Sequence, residues 1–317
     1  MSLRAGLGLL TVAGATTVAY SLWEAQAYRI RHEEIAVLPA GSPDVRVLHL
    51  SDIHLMPGHT KRSQWLSTLI ELEPDLIINT GDNLAHADAI PDLLHAFGGL
   101  LDTPGAFVFG SNDYYAPVVK NPLSYIRRGP SKIRHAQELP WQDLQSALES
   151  AGWIYVGNRR QQVTIGPLTV ELVGVDDPHL HRDDYAAVQG PASADADVLI
   201  GITHAPYLRI LDDMTRDGAA VIFAGHTHGG QICLPGYGTL VTNCDLDADR
   251  AKGLSVHQAP AEVRADGSDP ALEITKTAAP SATAWLEVSA GIGTSPFTPI
   301  RLACRPEAVL ITLTALG

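Results

Sequence analysis

The 317-residue chain has only three cysteines, Cys233, Cys244 and Cys304, and none of them sits in a CxxC or CxH spacing. That argues against a disulfide framework, although one pair could form. Basic residues are also scarce, 22 Lys and Arg against 35 Asp and Glu, for a formal net charge of −13. Proteins that grip a nucleic-acid backbone need clustered Lys and Arg to displace counterions, so nucleic acid is not a stable partner. An acidic small substrate remains open if metal ions supply the local positive charge. Charged residues make up 18% and hydrophobic residues 45%, a globular composition rather than a disordered one. The length allows a large core in one or two domains, and no internal repeat is visible.

A different absence marks the start. Ala5 to Trp23, "AGLGLLTVAGATTVAYSLW", has no charged side chain over 19 residues. As a helix it would reach roughly 28 Å, against ~30 Å for the hydrocarbon of a bilayer. Residues 1–30 therefore read as an N-terminal membrane anchor or signal segment, with residues 31–317 as the body. An uncleaved anchor leads; a secreted protein is the alternative, since "AQA" at Ala25–Ala27 resembles a cleavage site. A buried helix is the third reading. Arg4 flanks one side and Arg29 and Arg31 the other, so the positive charges leave the membrane face open.

What the body does have is a repeated pattern. "VRVLHLSDIH", "DLIINTGDN", "AFVFGSND", "DVLIGITH" and "AAVIFAGHTH" each run from an apolar strand into an abrupt polar turn. Helical stretches are expected over Arg62–Leu72 and Ala87–Leu101 between the first three. Short apolar strands alternating with helices indicate an α/β architecture whose sheet is covered on both faces. In such sheets ligands bind beyond the strand carboxyl ends. The polar ends are Asp52/His54, Asp82/Asn83, Asn112/Asp113, His204 and His226/His228. "WLEVSAGIGTS" and "EAVLITLTAL" read as closing strands, and residues 259–283 as a flexible loop.

The chemistry of these ends is that of a metal site. Borderline divalent metals take imidazole nitrogen and carboxylate or amide oxygen, and two such ions can share a carboxylate and a water. Asp52 and His54, two residues apart, leave the same face of an extended backbone and can close on one ion. Asp82 is the natural bridge, and His204, His226 and His228 add nitrogens beside glycines that permit close backbone approach.

"SDIH", "TGDN", "GITH" and "AGHTHGGQ", in this order, resemble the calcineurin-like metallophosphoesterase superfamily. "GHTHGGQICLPGYG", "GVDDP" and "GIGTSPFTPIRLACRPE" resemble its membrane-associated bacterial phosphodiesterase branch, with relatives of UDP-2,3-diacylglucosamine pyrophosphatase. The resemblance runs from about residue 44 to the C-terminus. It implies an α/β fold of two packed mixed sheets flanked by helices in four layers, preceded here by the N-terminal hydrophobic helix. It also implies two divalent ions (Mn, Fe, Zn or Co), one held by Asp52, His54, Asp82 and His228. The other would take Asp82, His204, His226 and a ligand from the third strand end, with His204 also counted among the catalytic residues.

That third end departs from the family pattern of Gly-Asn-His-Asp or Gly-Asn-His-Glu, in which Asn binds metal and His assists the leaving group or the phosphoryl. Here it is Gly110-Ser111-Asn112-Asp113. In gapless register Ser111 replaces the ligand; slipped by one, Asn112 is the ligand and Asp113 takes the histidine's place. The slipped register is favoured, because an amide oxygen is a better neutral ligand than a hydroxyl. His86 and His135 are candidate substitutes for the missing histidine. Asp176 and Asp177 read as a turn, or as groups behind the ligands.

A basic segment, residues 114–140, carries Lys120, Arg127, Arg128, Lys132 and Arg134 with no acidic residue from Tyr114 to Ala136. It reads as a lid-like insertion, with Arg127 and Arg128 as candidate substrate-binding residues. The expected function is hydrolysis of a phosphodiester or pyrophosphate bond, in a lipid-linked or nucleotide-type substrate, by hydroxide bridging two metals. Phosphomonoesterase activity and a catalytically weak metal-binding scaffold are the alternatives.

Overall fold

A computed structural model describes residues 3–118, 136–234, 236–260 and 282–317. Arg127, Arg128, His135, the centre of the basic insertion and residues 261–281 lie outside the described residues.

The strands are β1 (Arg29–Leu38), β2 (Val45–Leu50), β3 (Leu76–Asn79), β4 (Gly105–Phe107), β5 (Ile154–Tyr155), β6 (Arg159–Ile165) and β7 (Leu168–Gly174). They continue with β8 (Val198–Ile202), β9 (Val221–Ala224), β10 (Cys233–Leu234), β11 (Gly238–Thr239), β12 (Gly253–Gln258), β13 (Thr283–Val288) and β14 (Glu307–Ala315). They form two six-stranded mixed sheets, ordered β1-β14-β2-β3-β4-β5 and β12-β13-β9-β8-β7-β6, plus the small pair β10-β11. In the first, β2 to β5 run parallel. In the second, β7, β8, β9 and β13 run parallel.

The period of two in each strand sets the layers. In β2, Val45 and Val47 join Val170, Ile200, Phe223 and Ile311 between the sheets. Leu48 and Leu50 instead meet Leu66, Leu93, Phe97 and Leu148 on the helical side. Those last four come from α2 (Thr60–Ser67), α3 (Ile90–Phe97) and α5 (Trp141–Ser150). Beyond the second sheet, Leu199 and Ile222 pack against Ile210, Leu211 and Met214 of α6 (Leu208–Arg216). The apolar strands are thus covered on both faces, by helices on one side and the partner sheet on the other.

The expected helices are shorter than the sequence pattern. Thr68–Leu72 and Gly98–Asp102 tighten into 3-10 turns, the first ending at a left-handed Glu73 and the second starting at Gly98, φ 46°. The one-turn α4 (Ser111–Tyr114) follows β4. All three cysteines are free.

At the N-terminus, α1 spans Leu3–Glu24. Its last turn is tied to the body, Arg301 N donating to Ser21 O at 3.0 Å and Ala303 N to Glu24 Oε2 at 2.8 Å. Glu24 is buried there. Val12, Val18, Tyr20, Leu22 and Trp23 are exposed. Among the described residues no helix is long and apolar enough to cross a membrane, so the spanning role expected of Ala5–Trp23 has no support in the fold.

Because the two sheets meet through few large side chains, Phe223 is a sensitive point: it is fully buried between them. Phe223→Ala should lower unfolding free energy by about 3–5 kcal/mol with an unchanged urea m-value, as measured by equilibrium denaturation.

Candidate metal centre

The carboxyl ends of β2, β3, β4, β8 and β9 bring Asp52, His54, Asp82, Asn112, His204, His226 and His228 into one neighbourhood. His54 Nε2 is 3.5 Å from Asp82 Oδ2, and His204 Nε2 is 3.6 Å from Asp82 Oδ1. His228 Nε2 is 3.5 Å from Asp52 Oδ1 and 3.2 Å from His54 Nε2. Two overlapping donor groups result, Asp52/His54/His228 and Asp52/Asp82/His204, each compact enough to hold a metal ion. Asp52 is common to both, while Asp82 turns one oxygen to each set.

The local backbone differs from the extended one that the Asp-x-His spacing suggested. Asp52, His54, Asp82, His226 and His228 all have positive φ, between 45° and 69°. Left-handed non-glycine residues cost about 1–3 kcal/mol each and persist where surrounding structure holds them. Here it does: Asp52 N donates to Gly81 O at 2.9 Å and His54 N to Asp82 O at 2.9 Å, zipping the first two turns together. His226 N donates to Asp52 Oδ2 at 3.0 Å, joining the turns across the two sheets. Two glycines allow the approach. A Cβ at Gly110 would collide with Asp82 Oδ1 and lie 2.6 Å from His204 Nε2; one at Gly225 would strike Ser51 Oγ.

Hydrogen bonds behind the donors fix their orientation. His204 Nδ1 donates to Thr80 O at 2.7 Å, which turns Nε2 toward Asp82. Ser51 Oγ donates to Asp52 Oδ2 at 2.6 Å. Arg301 Nη2 lies 3.3 Å from His228 Nδ1 and donates to Ala290 O and Gly293 O, both at 2.7 Å. Arg62 Nη1 donates to Ile53 O and His54 O at 2.7 and 2.6 Å. Arg62 carried no motif signal, and Arg301, inside the quoted "GIGTSPFTPIRLACRPE", had been given no role; both bind backbone carbonyls of the site loops.

Electrostatics point the same way. Burial pushes Asp82 up, but His204, His54 and the Asn112 donors outweigh it and hold its carboxyl well below the usual range. Burial lifts Asp52 to about 6, with His204 opposing and Asp82 adding to the rise. His204 is opposed by burial yet raised to about 9 by Asp82, Asp177 and Asp52. Burial lowers His54 to about 4 and takes His226 and His228 well down, leaving neutral imidazoles. Asp52 Oδ1, His204 Nε2 and His226 Nε2 are buried and make no hydrogen bond among the described residues. Unsatisfied buried donors and acceptors of this kind fit a divalent cation.

The altered third turn is resolved by its contacts. Asn112 reaches the cluster: its N and Nδ2 donate to Asp82 Oδ1 and Oδ2, both at 2.7 Å. Ser111 turns away and donates to Asp177 Oδ2 at 2.6 Å. Asp113 does not take a histidine-like place. Its carboxylate accepts from Asp82 N (2.7 Å), Asn83 N (2.8 Å) and Gly110 N (3.0 Å), fully buried, so it braces the turns from behind. His86 is exposed and caps a 3-10 turn through Asp88 N, which removes it as a substitute. Asp176 and Asp177 are buried, and Asp177 caps the 3-10 turn Pro178–Leu180 by accepting from His179 N. Sequence reasoning missed His179, whose ring centroid is 4.6 Å from that of His226.

Comparison with known proteins gives the family. A family model described as calcineurin-like phosphoesterase matches residues 45–230. The chain is 26% identical over 319 residues to the uncharacterized protein YpbG of Bacillus subtilis, covering 96% of this chain and 95% of that one. It is 28% identical over 195 residues to the uncharacterized metallophosphoesterase YkoQ of the same organism, covering 60% and 63%. It is 26% identical over 246 residues to a bovine (Bos taurus) transmembrane protein with metallophosphoesterase domain, covering 73% of this chain and 51% of that one.

Two outcomes are expected of the site itself. An imidazolium cannot ligate, and His204 at about 9 is protonated at pH 7. Metal uptake at pH 7 should therefore release about one proton from it, with affinity rising up to pH ~9 and levelling beyond. Calorimetry in buffers of different ionisation enthalpy counts that proton, and uptake without release would show that His204 is already neutral before metal binds. Asp113→Ala leaves three buried N–H groups unpaired and should cost about 3 kcal/mol or more in urea denaturation.

Proposed function

The chain belongs to the calcineurin-like phosphoesterase family and is a metal-dependent phosphoesterase, and from that premise we propose that it cleaves a phosphodiester or pyrophosphate bond with two divalent ions. The observation that carries this reading is the pair of overlapping donor groups sharing Asp52, with one Asp82 oxygen turned to each. Bound there, the ions supply Lewis acidity that activates water near neutral pH and offsets charge on phosphoryl oxygens. Mixed nitrogen and oxygen ligation suits Mn, Fe, Zn or Co.

The chain's own residues do the positioning. Asp52, His54, Asp82 and His228 would hold one ion, and Asp82, His204, His226 and Asn112 would hold the other. Asn112 would serve through its amide oxygen; in this structure its amide NH2 donates to Asp82 Oδ2. Thr80 O and Arg301 keep His204 and His228 aimed, so little reorganisation is needed as charge develops. No histidine occupies the Gly110–Asp113 turn to protonate a departing alkoxide. Substrates with good leaving groups, diesters and pyrophosphates, fit that site better than alkyl monoesters.

A lipid-linked substrate is part of the proposal. It is supported by the exposed apolar side chains of α1, Val12, Val18, Tyr20, Leu22 and Trp23. Relatives from Bos taurus and Danio rerio are described as transmembrane proteins with this domain. Arg127 and Arg128 remain candidates for a second phosphate of such a substrate.

The test is hydrolysis of bis-p-nitrophenyl phosphate together with bound metal per chain. Asp82→Ala and Asn112→Ala should each lower kcat/KM by 100-fold or more, while Ser111→Ala stays within about 5-fold, because only the first two reach the ions. Wild type lacking turnover with every divalent metal tried would leave a metal-binding scaffold. Alkyl monoesters cleaved as fast as the aryl diester would favour a phosphomonoesterase.

A further inference from the structure

The segment after β7 delivers a side chain to the metal centre that the strand-end motifs do not include. Asp177 Oδ2 accepts from Ser111 Oγ at 2.6 Å, and Asp176 Oδ1 accepts from Tyr114 OH at 2.7 Å. Arg182 clamps the same junction, donating to Asp176 Oδ2 at 3.1 Å with its guanidinium 3.9 Å from the Tyr114 ring centroid. Residues 176–182 are thus stapled to the Ser111–Tyr114 turn, the place where the usual histidine is replaced. The next side chain along is His179. Its N donates to Asp177 Oδ1 at 2.8 Å, and its half-buried ring sits 4.6 Å, centroid to centroid, from His226.

Tyr207 fixes that ring. Its hydroxyl lies 3.1 Å from His179 Nδ1, and the two rings stack at 6.4 Å. Burial, with Cys244 and Asp177 adding to it, raises the Tyr207 phenol to about 12, so the hydroxyl keeps its proton and can donate to Nδ1. The imidazole proton then resides on Nε2. An imidazole N–H beside the donor cluster is a fitting partner for a singly charged phosphodiester oxygen.

We infer that His179, held by Tyr207 and by the Ser111–Asp177 staple, is a substrate-binding residue that donates a hydrogen bond to a non-bridging phosphoryl oxygen. It takes over recognition of the phosphoryl group from the histidine absent at the third turn, but not proton delivery to the leaving group. The inference rests on the phosphoesterase reading above.

The experiment compares wild type, His179→Ala, His179→Gln and Tyr207→Phe in three measurements. These are bound metal per chain, the Kd of inorganic phosphate for the metal-loaded protein by calorimetry, and kcat/KM over aryl phosphodiesters of graded leaving-group pKa. His179→Ala should keep its metal, weaken phosphate about 10-fold and lower kcat/KM about 10-fold across the whole series, the scale of one hydrogen bond to a charged group. His179→Gln, which restores an N–H donor, should recover to within about 3-fold of wild type, and Tyr207→Phe should lose a smaller factor. Unchanged phosphate affinity with metal intact overturns the inference, and so does loss of metal in both His179 variants. A leaving-group dependence that steepens in His179→Ala also overturns it, since that would make His179 an acid. If His179→Ala does not fold, His179→Gln and Tyr207→Phe carry the same readouts. Failure of the phosphoesterase reading is separable, because it would show as absent turnover in wild type.

Discussion

Two carboxylates, Asp52 and Asp82, are buried within 3.6 Å of imidazole nitrogens at the junction of two sheets. Taking such groups out of water costs several kcal/mol per ion unless opposite charge and hydrogen bonds offset it. Much of the surrounding structure is the offset. Ser51 and the His226 amide serve Asp52, and Asn112 serves both oxygens of Asp82. Both carboxylates favour the charged form of His204, whose pKa they raise against its burial. A divalent cation satisfies the same electrostatic demand with more charge in one place, so the fold is organised around a position that favours concentrated positive charge.

That demand explains the backbone. A carboxylate or imidazole on an ordinary strand would point into one of the apolar layers, because side chains alternate between them. Turning Asp52, His54, Asp82, His226 and His228 into the left-handed region after their strands breaks the alternation and aims them at the seam between the sheets. The strain is held by long-range bonds, including the Asp113 carboxylate behind the second and third turns and the carbonyls gathered by Arg301. A further ion cluster, Arg31 between Glu287 of β13 and Glu307 of β14, ties the sheets near the same end. Glu307 also accepts from Ala290 N in the loop that Arg301 grips. Rigidity of the site and cohesion of the two sheets are therefore one problem.

Much of this was legible along the chain. Val45–Leu50 reads as a strand because Val45, Val47, Leu48 and Leu50 lead up to a polar stop at Ser51-Asp52, and β2 has those bounds. Asp52, His54, Asp82, His204, His226 and His228 stand out because nothing in packing asks for such groups at the ends of buried strands. Asp113 was misread as a stand-in for histidine. Its spacing from Gly110 gave no sign that three amides from two turns would converge on it. His179 and Arg301 were passed over for a related reason. One lies in a short polar turn and the other in an irregular segment, where periodicity carries no information.

The sequence by itself determined the layers and the donor set. Hydrophobic alternation and residue chemistry are local properties, and each strand carries its own record of them. Only the tertiary structure decided which neighbours act together: Ser111 with Asp177 across 66 residues, and Arg301 with His228 across 73. It also decided that Asn112, not Ser111, faces Asp82. Such choices depend on hydrogen bonds a few ångströms long between chain segments far apart in order, and a difference of one residue in a turn leaves the local pattern almost unchanged while reversing where each side chain points.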